Sequence, residues 1–215
     1  MSARPHTALP LERPAGSGRP RSPSAGVRTW SGAGLLPSSH AAGADVVVVV
    51  EGVVSVSLVL PSGRVIGLAI LGPGEVWAAP AGDGGLAAFR VEALCPSRVR
   101  LLVMDTLVHI ASAAEVAGAL VRMLLHRAAD AERRYAGLAA LPVEERVLSL
   151  LRKLGRLRGE PVADGVRVEL DLSQERIASL TGATRESVNR AVRALKRAGI
   201  LRREGLRYEV TGGGS

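Results

Sequence analysis

The chain is predicted to be α+β: an antiparallel β-roll, then one long helix, then a winged helix-turn-helix. Three observations carry that prediction. Between Val27 and about Val103, short Val-rich runs alternate with Gly and Pro, the texture of strands and turns. From Met104 to Leu138 there is no Pro and only two Gly, while Ala, Leu and charged residues dominate. The last third places small and apolar residues at the intervals needed where two short helices cross closely.

Composition narrows the function classes. The 215 residues suffice for one large or two small domains with real cores. Aromatics are 2%, so the core is built from Val, Leu, Ala and Ile, and no stacking platform for single-stranded nucleic acid is expected. The formal charge of +8 is uneven: residues 1–28 carry +4, residues 29–140 carry −1, and residues 141–215 carry +5. The C-terminal third is thus the candidate for a polyanionic partner. A single cysteine, Cys95, excludes an intrachain disulfide, a Cys-based zinc site and a cysteine-ligated iron–sulfur cluster. No nucleophile–base pair, paired carboxylates or metal cluster can be assembled from neighbouring residues, so no enzyme is expected. The longest apolar run, Val46 to Val50, is too short to span a bilayer, and the N-terminus has no apolar signal region. A cytoplasmic protein without membrane association is expected.

Residues 1–26, rich in Pro, Gly, Ser, Ala and Arg, read as a disordered basic tail. Residues 27–113 are assigned to the roll. Its strands are sought in "DVVVVVEGVVSVSLVL", "RVIGLAIL", "FRVEAL" and "SRVRLLVM", with "LPSGRVI" (60–66) as a hairpin turn set by Pro61 and Gly63. Residues 114–138 form the helix. Along it Ala117, Val121, Leu124, Ala128, Ala131, Tyr135 and Leu138 follow steps of four and three, a seam of about three heptads. Such a stripe can pack on its own domain, but its length and small residues favour a second copy of the chain. Residues 139–215 complete the molecule. Pro142 opens a helix with acids in its first turn and bases in its last, burying Val143, Val147, Leu150, Leu151 and Leu154. "VRVEL" (166–170) alternates like a strand, and "GILRREGLRYEV" reads as two strands turning at Glu204–Gly205.

Between them lies the helix-turn-helix. In a window starting at Gln174, small Ala178 permits close crossing and Gly182 permits the positive φ of the turn. Ile177, Val188, Val192 and Leu195 supply the shared core, and Ser173 and Thr184 are placed as N-caps. The second helix leaves Arg185, Glu186, Asn189 and Arg190 on the opposite face. Arg bonds guanine bidentately, Glu accepts from cytosine and Asn suits adenine. The plainer reading is a solvated face with Glu186 and Arg190 paired four apart.

"LSQERIASLTGATRESVNRAVRALKRAGIL" (172–201) resembles the Crp–Fnr family of bacterial regulators, and Arg185, Glu186, Val188 and Arg190 match its DNA-reading signature. More weakly, "GVVSVSLVLPSGRVIGLAILGPGEV" (52–76) is similar to that family's cyclic-nucleotide-binding-like roll. The resemblance implies a homodimer on an inverted repeat of TGTGA-like half-sites. Arg185, Glu186 and Arg190 would contact bases, with Asn189 affecting a flanking base, and Gln174, Thr184 and Ser187 would contact phosphates. The implied partners are double-stranded DNA, a second copy, and RNA polymerase at promoters.

The family's phosphate clamp is altered. Where cyclic-nucleotide-binding members carry Gly-Glu-Leu and then Arg-Ser, this chain has Ala78-Ala79-Pro80 and Ala87-Ala88, with Arg90 the only base nearby. A buried cyclic phosphate without a cationic partner is costly, so no cyclic AMP or GMP binding by the usual contacts is expected. His40, His109, His126 and Cys95 are scattered and assigned no haem, metal or cofactor role. Two alternatives stand beside the effector-independent regulator: a roll sensing another small molecule, and a loosely DNA-binding interaction or architectural protein.

Overall fold

The computed structural model describes residues 27–36, 46–78, 88–102 and 114–212. The predicted tail, His40, His109, and Ala79, Pro80 and Ala87 of the altered loop lie outside the described residues. Among the described residues six antiparallel strands form the roll: β1 (Val27–Leu35), β2 (Val46–Glu51), β3 (Val54–Val59), β4 (Val65–Leu71), β5 (Val76–Ala78) and β6 (Ala88–Leu102). The sheet order is β4-β3-β6-β2-β5, with β1 also on β6. β6 is the spine. Its first half pairs with β3 and its second with β2, while β1 spans both, so the sheet curls around the Val-rich core. "FRVEAL" and "SRVRLLVM", expected as separate strands, are therefore one. Pro96 between them falls where the β1 register shifts, so its missing N–H interrupts no ladder bond to β1. Val47, Val49, Val54, Val56 and Val99 fill the interior, closed by Trp30 and by Trp77 tilted 5.2 Å from Phe89.

Two helices and a compact head follow. α1 (Ala114–Ala140) is the long helix, and α2 (Val143–Arg158) buries Val147, Leu150, Leu151 and Leu154, with Val143 half-buried. Glu144 and Glu145 in the first turn of α2 and Arg156 and Arg158 in its last complement the helix dipole. Next come β7 (Gly159–Val162), β8 (Gly165–Val168), α3 (Gln174–Thr181), α4 (Arg185–Arg197), β9 (Leu201–Glu204) and β10 (Arg207–Thr211). The wing is a four-stranded sheet, β7-β8-β10-β9. β7, "GEPV", was not expected, because Gly and Pro hide its two-residue hairpin with β8. The last turn also moves by one residue. Glu204 pairs with Arg207, so the loop is Gly205–Leu206 rather than Glu204–Gly205.

Roll and head are in contact. Val53, Ile70 and Cys95 of the roll belong to the same buried cluster as Leu150, Leu154, Ile177 and Leu180 of the head. Arg176 on α3 meets Glu92 on β6 at 2.5 Å, and Ser179 Oγ donates to the Val65 carbonyl at 3.2 Å. Arg134 on α1 donates to the carbonyls of both Gly67 (2.8 Å) and Leu180. The approach is close enough that a Cβ on Gly67 would stand 2.8 Å from Leu180 Cα.

Candidate nucleic-acid interface

The head folds around two caps and one glycine. Ser173 Oγ accepts from the Arg176 N–H at 3.1 Å, starting α3. Gly182 ends it with φ +64° and ψ 32°, the left-handed conformation that L side chains disfavour. Thr184 Oγ1 then accepts from the Ser187 N–H at 3.2 Å, starting α4 within two residues of the turn. Val188, Ala191, Val192 and Leu195 are buried against the head core; full burial of a Val or Leu side chain contributes roughly 1.5–3 kcal/mol. This inner stripe fixes the outer one. Arg185, Glu186 and Arg190 are exposed, and Asn189 is half-buried beside them.

The exposed face is not internally neutralised. Arg190 donates to Ser187 Oγ at 3.2 Å, and among the described residues no ion pair joins Glu186 to Arg190. The plainer pairing therefore does not form. Three wing arginines differ: Arg202 meets Glu209 and Asp164, Arg207 meets Glu169 and Asp171, and Arg167 meets Glu160 and Glu209. Arg185, Arg190, Arg193, Lys196 and Arg197 form no ion pair among the described residues. Positive charge left open on one helix is what a phosphate-rich groove requires. Thr184 and Ser187 bring their hydroxyls to 3.0 Å of each other at the start of α4, while half-buried Gln174 begins α3.

Other predicted residues fall into three groups. Along α1, Val121, Leu124, Tyr135 and Leu138 are exposed, as are Ala128 and Ala131, with Ala117 half-buried. Arg90 is exposed, whereas its neighbours Phe89 and Val91 pack on the roll core, so strand alternation turns it away from the interior. Cys95 is buried, its Sγ 3.8 Å from Ser97 Oγ. One cluster escaped sequence reasoning: the ligand atoms of Glu75, His126 and Asp130 lie within 4.8 Å of one another. The oxygens of Asp130 are already taken by Arg133 (2.5 Å) and Lys153 (3.4 Å), and Glu75 accepts from the Gly72 N–H at 2.6 Å. His126 and Asp130 lie 51 and 55 positions from Glu75, so no local signal joined them.

A β-roll joined by a long helix to a winged helix-turn-helix, with an open cationic face on the second helix of that motif, defines a DNA-binding transcription regulator. Residues 145–211 match the Crp-like helix-turn-helix domain. The chain is 31% identical over 166 residues to the CRP-like cAMP-activated global transcriptional regulator of Mycobacterium tuberculosis, covering 74% of this chain and 71% of that one. Among solved structures it is similar to FixK2 from Bradyrhizobium japonicum, with TM-score 0.65 and 27% identity over 86% of this chain and 91% of that one. It shares its fold with TTHB099, a CRP-family regulator from Thermus thermophilus, at TM-score 0.68 and 22% identity over 86% and 91%. The chain belongs to the CRP/FNR family of transcription regulators. No helix among the described residues is long and apolar enough to cross a membrane.

Proposed function

We infer that the protein is a homodimeric regulator reading an inverted repeat of TGTGA-like half-sites, without needing a cyclic nucleotide. The carrying observation is the uncompensated Arg185–Glu186–Arg190 face on a helix whose other side is locked into the head core. Arg185, Glu186, Asn189 and Arg190 read base edges, and Gln174, Thr184 and Ser187 hold the phosphates on either side. Residues 27–113 serve as the effector-like domain, 114–138 as the dimer helix and 139–215 as the DNA-binding head. RNA polymerase at promoters is the further partner. Independence from cyclic nucleotides rests on the Ala-rich replacement of the clamp and on Arg90 facing outward, although the mycobacterial relative carries cAMP activation in its name.

Selection of duplexes from a random pool by the bare protein tests the whole reading. It should return an inverted repeat, and added cyclic AMP should leave the affinity unchanged. Arg185→Ala or Arg190→Ala should cost roughly 1–3 kcal/mol on the selected site and relax one position per half. Recovery of no motif, with affinity lost evenly across sequences, would mark a loose architectural binder instead. Binding that appears only with cyclic AMP would overturn the effector-independent part.

A further inference from the structure

A cavity of about 310 Å³ opens between β4, α1, α2 and the end of α3. Leu68, Ala69 and Ile70 of β4 all line it; Ile70 belongs to the core shared with the head, and Ala69 to the roll core. None of the proposed base-reading residues lines it.

Its charge is one-sided. Among the described residues, six cationic side chains line it against one acid, Asp130, which is taken by Arg133 and Lys153. Arg134 and Arg146 spend donors on backbone carbonyls, Arg146 on Thr181 at 2.7 Å, and carbonyls carry no net charge to offset theirs. Arg127 and Arg156 form no ion pair among the described residues. The Nε of Arg146 is buried with no hydrogen-bond partner among the described residues, a group that ordinarily finds one. Burial, and then the charge of Arg127, push the Arg134 guanidinium below its usual range. Among the described residues the site therefore carries a net excess of positive charge and one buried donor without an acceptor.

We propose that this cavity binds a small oligophosphate of the nucleoside di- or triphosphate class. The six cations come in two sets, Arg127, Arg133 and Arg134 from α1 and Arg146, Lys153 and Arg156 from α2. Adjacent phosphates supply one anionic group to each set, and guanidinium forks match phosphate oxygens bidentately. A lone carboxylate cannot serve both. The volume lies at the small end of ligand pockets. A divalent cation at the neighbouring Glu75, His126 and Asp130 would meet this same excess of positive charge. Because the walls come from the roll strand and from both helices, the bound anion ties α1 to α2 and stabilises the docked head. No residue proposed to contact DNA lines it, although Ala131 and Leu138 of the α1 seam do.

Calorimetry and thermal unfolding of the full chain, with inorganic pyrophosphate or adenosine diphosphate at matched ionic strength, test it. Saturable binding and a raised melting temperature are expected. Arg127→Gln/Arg156→Gln should weaken binding at least about tenfold, and Asp130→Asn, removing the acid that lines the site, should tighten it. Arg64→Gln/Arg100→Gln, which removes equal charge elsewhere, should change nothing. Equal affinity for the two probes means that the phosphate chain alone is read, and tighter adenosine diphosphate means that the nucleoside is contacted too; both support the site. Failure of both probes to bind, or binding untouched by the Arg127/Arg156 pair, overturns it. So does the outcome in which that pair weakens only duplex DNA binding, since those cations would then serve the DNA backbone.

Discussion

Asp130 is held ionised in a cationic neighbourhood. Burial alone would raise its carboxyl, but hydrogen bonds from Arg133 and Lys153 and the charges of Lys153 and His126 outweigh it, leaving the group below its ordinary 3.8. A folded value below the unfolded one means stabilisation that is present above the unfolded value and lost as pH falls through the folded one. The wild-type chain and Asp130→Asn should therefore differ in urea midpoint at neutral pH, and the difference should shrink from about pH 5 to about pH 3. A constant gap across that range would mean that the ion pairs contribute nothing. The side chain of Asp130 is 21% exposed, so solvent screening does not erase the effect, although Arg133 at 65% gains less than a buried partner would.

At the scale of elements, the contact between β4 and α3 joins roll to head. Gly67 has no side chain where one would strike Leu180 Cα at 2.8 Å and the Ser179 carbonyl at 3.0 Å, both backbone atoms that cannot swing aside. Gly67→Ala should push α3 off the strand at a cost of roughly 1–3 kcal/mol. Hydrogen exchange should then rise along β4 and α3 while the roll and wing interiors stay protected; an unchanged pattern would show that the junction yields freely. This junction also marks where sequence reasoning stopped. The caps at Ser173 and Thr184, the turn at Gly182 and the buried stripe of α4 were legible because each depends on residues within one turn of one another. The rail from Arg134 to Gly67 and Leu180 joins residues 67 and 46 positions apart, with no motif at either end. The cationic cavity was hidden for the same reason, since its two sets of charges read as ordinary solvated helix faces until α1 and α2 are laid side by side. β7 was missed because Pro161 and Gly159 argue locally against a strand that pairing with β8 nevertheless stabilises.

For the whole molecule, α1 poses the largest unmet demand. Val121, Leu124 and Tyr135 are 54%, 59% and 77% exposed, large apolar side chains left open along one helix. The stripe also runs to the head: a Cβ on Gly182 would stand 2.8 Å from Leu138 Cδ2, so the last seam residue abuts the turn that aims α4. Pairing two such helices would fix the spacing of two recognition helices, which must lie about 34–36 Å apart to enter successive major grooves on one face of a duplex. Leu124→Glu places like charges opposite each other at mid-seam while touching nothing in the protomer core. The variant should keep the wild-type circular dichroism spectrum, sediment as a monomer, and bind a full inverted repeat no more tightly than a single half-site. A variant that remained dimeric would place the interface elsewhere. A monomer that held the full repeat at wild-type affinity would uncouple the seam from the reading of DNA.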